Sequence, residues 1–161
     1  VNDVLTGLRN KRYFQEAFEE MFARALRSRG DISCLFFDLD HFKKVNDTCG
    51  HAFGDYVLKT IGALVNKNVR FGDLAARFGG EEFCVILPRI DKKKASAVAE
   101  DLRVIIENKK ISLRGWETNI TVSIGVAAFP DDASEESDLI LKADRAMYEA
   151  KQKGRNRVIC V

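Results

Sequence analysis

The chain has 161 residues and a mass of 18.1 kDa, enough for one domain with a closed core. Hydrophobic residues make up 46% and charged residues 31%, as in an ordinary soluble globular chain, and only 2 Pro and 11 Gly argue against a linker or a disordered tail. With 26 Lys and Arg against 24 Asp and Glu, the net charge of +2 is too small to hold nucleic acid by bulk electrostatics. No apolar run approaches the length of a membrane span, and no signal-peptide pattern opens the chain. The chain starts at Val1 rather than Met, which predicts an excerpt, residues 1–161, from a longer multidomain protein. Cys34, Cys49, Cys84 and Cys160 form no C-x-x-C pair. They read as reduced thiols in a reducing, cytoplasmic compartment rather than as a zinc site or a disulfide framework.

In chain order, Asn10 is placed to cap a first helix with the stripe Phe14, Phe18, Met21, Phe22, Ala25 and Leu26, and Gly30 is placed to stop it. Ile32 to Phe37 is a nearly continuous apolar run, predicting a strand buried on both faces. A polar stretch from Asp38 to Asp55 follows, with a short amphipathic segment around Phe42 and Val45. Phe53, Val57, Ile61 and Leu64 mark a second helix. Leu74–Phe78 and Phe83–Leu87 read as a hairpin turning at Gly79-Gly80-Glu81-Glu82. Asp91 is placed to cap a third helix with the stripe Ala95, Val98, Leu102 and Ile105. Alternation from Ile120 to Val126 predicts a half-buried strand. Ser134 is placed to cap a last helix bearing Leu139, Ala143, Met147 and Tyr148, ending near Gly154, with Val158–Val161 as a closing edge strand. Mixed strands and helices with a tight hairpin predict a layered α/β (α+β) fold, not a wholly parallel sheet.

Asp38 emerges at the end of a buried strand, with Asp40 two residues on along the same side. Either acid could be a helix cap or a surface charge. Glu81 and Glu82 form a second acidic pair beside Gly79 and Gly80. Carboxylates on neighbouring strand ends can converge on Mg²⁺, which prefers a few oxygen ligands plus substrate phosphates. That arrangement serves phosphoryl and nucleotidyl transfer. The glycines let a backbone approach a ligand, although turn geometry alone also explains them.

Lys43, Lys151 and Arg155 could clamp a triphosphate; cations at the end of a helix also complement its dipole. The basic stretch from Lys151 to Arg157 is short and favours a small anion over a nucleic-acid groove. Asn46 and Asp55 could read a guanine edge, or could cap the helices that begin nearby. Arg70 and Asp73 form an R-x-x-D, which is at minimum a local ion pair.

Together these motifs identify a family resemblance. Arg77-Phe-Gly-Gly-Glu-Glu-Phe83 matches the GGDEF signature in its GGEEF form. Asp3 to Asn10, Phe37 to Asp47, Gly50 to Asp55, Thr121 to Val126 and Ala143 to Asn156 match the other motifs of the family, in order, over essentially the whole chain. The sequence therefore resembles the GGDEF diguanylate cyclases.

The resemblance implies a fold akin to nucleotidyl cyclases and polymerase palms, with a central, mostly antiparallel five-stranded sheet flanked by helices. It implies condensation of two GTP to cyclic di-GMP with release of pyrophosphate, dependent on Mg²⁺ or Mn²⁺. Asp38, Glu81, Glu82 and the Leu39 carbonyl become the metal site, with Glu81 as proton acceptor. Lys43, Lys151 and Arg155 become phosphate ligands near Gly79 and Gly80. Asn46 and Asp55 contact guanine, with His51 and Leu58 close by. Arg70 and Asp73 become an inhibitory product site, and Arg103 a second arm reaching from a neighbouring molecule. Catalysis requires a homodimer, brought together by regulatory domains elsewhere in the protein. The rival expectations are a degenerate domain that binds GTP or cyclic di-GMP without turnover, and an enzyme making an adenine-containing product, which Asp55 opposes.

Overall fold

Asn10 caps helix α1 (Lys11–Ser28), its side chain accepting from the Tyr13 amide at 2.9 Å. The computed structural model describes residues 1–161. Arg29, not Gly30, takes the left-handed turn that ends α1, and Leu26 lies half-exposed off the buried stripe. Strand β1 (Ile32–Leu39) is buried along its whole length and runs two residues further than the apolar pattern, so that it includes Asp38. Helices α2 (Phe42–Cys49) and α3 (His51–Asn68) meet at Gly50, whose φ of +88° lets one residue end the first helix and begin the second. The hairpin is β2 (Leu74–Gly79) and β3 (Glu82–Pro88), with a register shift between Arg77 and Gly79.

Asp91 caps α4 (Lys92–Glu107) by accepting from the Lys94 amide at 2.9 Å. Ile106, rather than Ile105, completes its buried face. A small hairpin, β4 (Ile111–Leu113) with β5 (Trp116–Thr118), has no counterpart in the sequence pattern, because three-residue strands carry no periodicity. Strand β6 (Val122–Phe129) corrects the expectation of a half-buried strand: all eight residues are buried. Its alternation is large against small, not apolar against polar. Val122, Ile124 and Val126 face one layer, while Ser123, Gly125 and Ala127 lie on the other face, where helix α5 (Glu136–Gln152) comes close. Glu135, not Ser134, precedes α5, and no side chain caps it; Glu136 and Asp138 in the first turn suit the helix dipole instead. Tyr148 is exposed. Strand β7 (Arg157–Cys160) pairs parallel with β6 as the predicted edge.

The central sheet has the order β2-β3-β1-β6-β7, antiparallel except for its last pair. One face packs on α3 and α4 through Leu35, Phe37, Val85 and Ile124. The other packs on α1 and α5 through Cys34, Phe36, Ile86 and Ala127. Alternation along β1 therefore turns Asp38 toward the α5 layer. All four cysteines are free thiols. No helix is long and apolar enough to cross a membrane.

Candidate active site

Register brings the acids together. Asp38 on β1 stands directly opposite Glu82 on β3, and the Leu39 amide donates to the Glu81 carbonyl at 3.3 Å. The turn is clamped from below by Arg77. Its Nε donates to the Gly80 carbonyl at 2.9 Å, and its Nη1 reaches the Asp3 carboxylate at 3.2 Å. Burial opposes ionisation of Asp3, but the hydrogen bonds from Thr6 and the charge of Arg77 outweigh it and hold Asp3 below the usual carboxylate range. A Cβ built on Gly79 or Gly80 would meet nothing within 4 Å, so the turn faces open space.

Asp38 is the electrostatic centre. Its side chain is only 8% exposed, and Lys151 Nζ donates to its Oδ2 at 2.5 Å. Its other oxygen, Oδ1, is buried with no partner. Burial pushes the Asp38 carboxyl up to about 6; Lys151 opposes the shift, and Glu81 and Glu82 add to it. Glu82 is also raised, by burial and by the nearby charge of Asp144. A buried carboxylate oxygen without a donor, between two further acids, fits a hard divalent cation. No three His, Cys, Asp or Glu side chains are grouped so as to hold a metal ion by themselves, so a cation here would need phosphate oxygens and water to complete its shell.

Four of the predicted phosphate and base residues, Lys43, His51, Asp55 and Arg155, lie on the surface. Lys43 sits exposed in the first turn of α2, and Arg155 is exposed just after α5. The side chains of Lys43, His51, Asp55 and Arg155 make no hydrogen bond or ion pair within the chain. Helix capping no longer explains Asn46 or Asp55. Both lie inside helices, and Gly50 precedes α3. Gly54 makes room for Asn46, since a Cβ there would fall 1.7 Å from Asn46 Oδ1. That oxygen is buried and unpartnered. His51 is exposed, whereas Leu58 is 3% exposed and belongs to the core.

Asp40 is not free to join the acids. It is buried, and it accepts from Thr121 Oγ1 and Ser123 Oγ, both at 2.7 Å, and from the Asn156 amide at 3.0 Å. Sequence reading missed Asn156, Arg77 and Asp3 as the residues that hold the site's loops, because each acts through a partner distant in sequence. Arg103, expected as a second arm reaching a neighbouring molecule, is engaged within its own chain. It pairs with Glu100 and Glu107 and donates to Asn156 Oδ1 at 2.8 Å.

Arg70 and Asp73 form the expected ion pair at 2.8 Å, and Arg70 also donates to the Pro88 carbonyl at 3.1 Å. Asp73 is 2% exposed and the Arg70 side chain 52%, so the carboxylate holds a guanidinium that still faces solvent. Both line a groove of about 870 Å³ with Arg24 and Tyr13.

The antiparallel core sheet, with an acid-bearing turn at one end of its central strands, is that of the palm-like nucleotidyl cyclase fold. The chain matches the family described as "Diguanylate cyclase, GGDEF domain" over residues 1–157, and it belongs to that family. It is 41% identical over 160 residues to diguanylate cyclase A of Treponema denticola, covering 97% of this chain and 43% of that protein. It is 40% identical over 161 residues to the response regulator PleD of Caulobacter vibrioides, covering 99% and 36%. The chain thus spans less than half the length of these relatives. Among solved structures it resembles the GGDEF domain of DgcB from Caulobacter crescentus in complex with c-di-GMP. That likeness has a TM-score of 0.93 and 34% identity over 99% of this chain and 92% of that one. It also resembles the active GGEEF domain of a diguanylate cyclase from Vibrio cholerae, with a TM-score of 0.87 and 32% identity over 94% and 96%.

Proposed function

We propose that this chain is the catalytic domain of a diguanylate cyclase, a single domain within a longer protein. It joins two GTP molecules into cyclic di-GMP: each 3′-hydroxyl attacks the α-phosphorus of the other GTP, and each attack releases pyrophosphate. The observation that carries this reading is the buried, unpartnered Asp38 Oδ1 opposite Glu82 and beside Glu81. Asp38, Glu81 and the Leu39 carbonyl, with Glu82 assisting, would hold a Mg²⁺ or Mn²⁺ ion, which when bound would supply charge neutralisation at the phosphates.

Glu81 takes the proton of the attacking hydroxyl. Lys151 leaves Asp38 for a phosphate oxygen, and Lys43 and Arg155 hold the rest of the triphosphate. Gly79 and Gly80 let the backbone of the turn approach it. Asn46 and Asp55 hydrogen-bond the guanine edge, with His51 and the Leu58 wall near the base. Each domain holds one GTP on an open surface, so two copies must face one another; this is proximity catalysis between subunits. Other parts of the full-length protein bring the pair together.

Incubation with GTP and Mg²⁺, with the product identified by mass spectrometry, tests the reading. Cyclic di-GMP is the expected product. GTP binding without product, in an enforced dimer, would favour a binding module instead.

Base choice gives a second expected result. Asp55→Ser removes an acceptor for guanine N–H groups, leaving polar groups unmatched at a cost of about 1–3 kcal/mol. GTP use weakens and its advantage over ATP narrows, as steady-state kinetics with both nucleotides will show. An unchanged ratio would make Asp55 merely structural.

Product inhibition belongs to Arg70 and Asp73. Cyclic di-GMP bound there holds two domains apart so that their GTP molecules cannot meet. Arg70→Ala loses a charge-assisted pair worth about 1.5–3 kcal/mol, or about one to two orders in product affinity. Calorimetric titration of cyclic di-GMP reads this directly, and turnover should persist while inhibition is lost. Equal affinity in both proteins would leave Arg70–Asp73 a local ion pair.

A further inference from the structure

We infer that Arg103 and Asn156 are positioning residues for the triphosphate, bracing from α4 the loop that presents Arg155. The inference rests on the reading of Arg155 as a phosphate ligand. Arg155 and Asn156 both lie in the left-handed region, with φ of +63° and +47°. Two such residues in succession, neither of them glycine, are costly and persist only where their surroundings hold them.

Here the hold is complete. The Arg155 amide donates to the Ala150 carbonyl at 3.0 Å, and the Asn156 amide donates to Asp40 Oδ2 at 3.0 Å. Asn156 Oδ1 accepts from Arg103 Nη1 at 2.8 Å, while its Nδ2 donates to Glu107 at 2.5 Å. Arg103 is itself fixed between Glu100 and Glu107, with its side chain 16% exposed. The Arg155 guanidinium, by contrast, is exposed and makes no hydrogen bond or ion pair within the chain.

The second anchor gives the brace its functional sense. Asp40 lies two residues beyond Asp38 on the same chain segment, and it binds the amide next to Arg155. The acids of the site and this cation are therefore tied together through Asp40 and Asn156. A network serving only to fasten β7 would need neither the left-handed pair nor an arginine free of partners. Preorganised cations bind an anion more tightly because less freedom is lost on binding.

The test compares two ligands in the presence of Mg²⁺: a non-hydrolysable GTP analogue by calorimetry, and guanosine, which lacks phosphates, by NMR titration. Arg155→Ala should weaken the analogue by about one to two orders, the effect of a lost charged hydrogen bond, and Arg103→Ala and Asn156→Gly should each weaken it about five- to tenfold, the effect of a misplaced one. Guanosine affinity should stay within about twofold. Glycine at 156 keeps the left-handed backbone and removes only the brace. Arg103→Lys, which retains a donor, should recover part of the loss. If Arg103→Ala does not fold, Asn156→Gly and Arg103→Lys carry the same comparison. Weakening by Arg155→Ala with no change in the brace variants would overturn the inference alone. Equal losses for guanosine and analogue would overturn it by showing a general structural role. An unaltered Arg155→Ala would overturn it together with the phosphate reading of Arg155.

Discussion

Replacing Asp38 with asparagine is expected to cut turnover by at least about 100-fold while leaving the fold intact or more stable at neutral pH. The loss follows from removing a carboxylate proposed to hold the divalent cation. The stability follows from burial. Asp38 is raised from the ordinary 3.8 to about 6, chiefly because its ionised form is desolvated. Below about pH 3 the carboxyl is protonated whether the chain is folded or not, and it has no effect on the pH dependence. As pH rises from about 4 to 6, the unfolded chain releases this proton and the folded chain resists. The wild type therefore loses stability over that window relative to Asp38→Asn, and the difference stays constant above it.

Thermal unfolding in chelator from pH 4 to 8 measures this. Added Mg²⁺ should raise the wild-type midpoint, by mass action, and not that of the variant. A folded Asp38→Asn protein with near-normal turnover would remove Asp38 from the metal site. A variant less stable at every pH would show that the ion pair with Lys151 outweighs the cost of burial.

The parts of this site that were legible in the sequence are local ones. A buried strand that ends in an acid, and a Gly-Gly turn flanked by acids, are each written within about ten residues. The register that sets Asp38 against Glu82 follows once both strands are placed in one antiparallel pair. What was not legible depends on long-range contact. Lys151 reaches Asp38 from 113 residues away, and Asp40 is consumed by Thr121, Ser123 and Asn156. Asp38 and Asp40 have the same residue type and the same side of the chain. Only their neighbours separate an acid with an unpartnered oxygen from one that is saturated. Arg103 likewise reads as a free surface cation until its partners on α4 and beyond are known.

Strand β6 illustrates the same limit from the side of packing, and it carries the largest expected effect on stability. A Cβ built on Gly125 would fall 2.0 Å from the Ala143 carbonyl oxygen and 2.3 Å from the Met147 amide nitrogen. Both are backbone atoms of α5, so no side-chain rotation can relieve the overlap. Gly54 differs, because the atom met there is the far end of Asn46. Gly125→Ala must push α5 off the sheet, opening the layer formed by Ala127, Leu139, Ala143 and Met147. Such overpacking costs typically 1–3 kcal/mol, and an unyielding backbone puts this case at about 3 kcal/mol or more. For a chain of this length that lowers the unfolding midpoint by about 10 °C. Because α5 also carries Lys151, its retreat should loosen the pair with Asp38. The folded fraction should then show weaker GTP binding as well as lower stability. Urea unfolding and GTP-analogue titration of the same preparation separate the two effects. An unchanged midpoint would mean that α5 can shift away from Gly125 at little cost, and that its close seat on β6 does not set the position of Lys151.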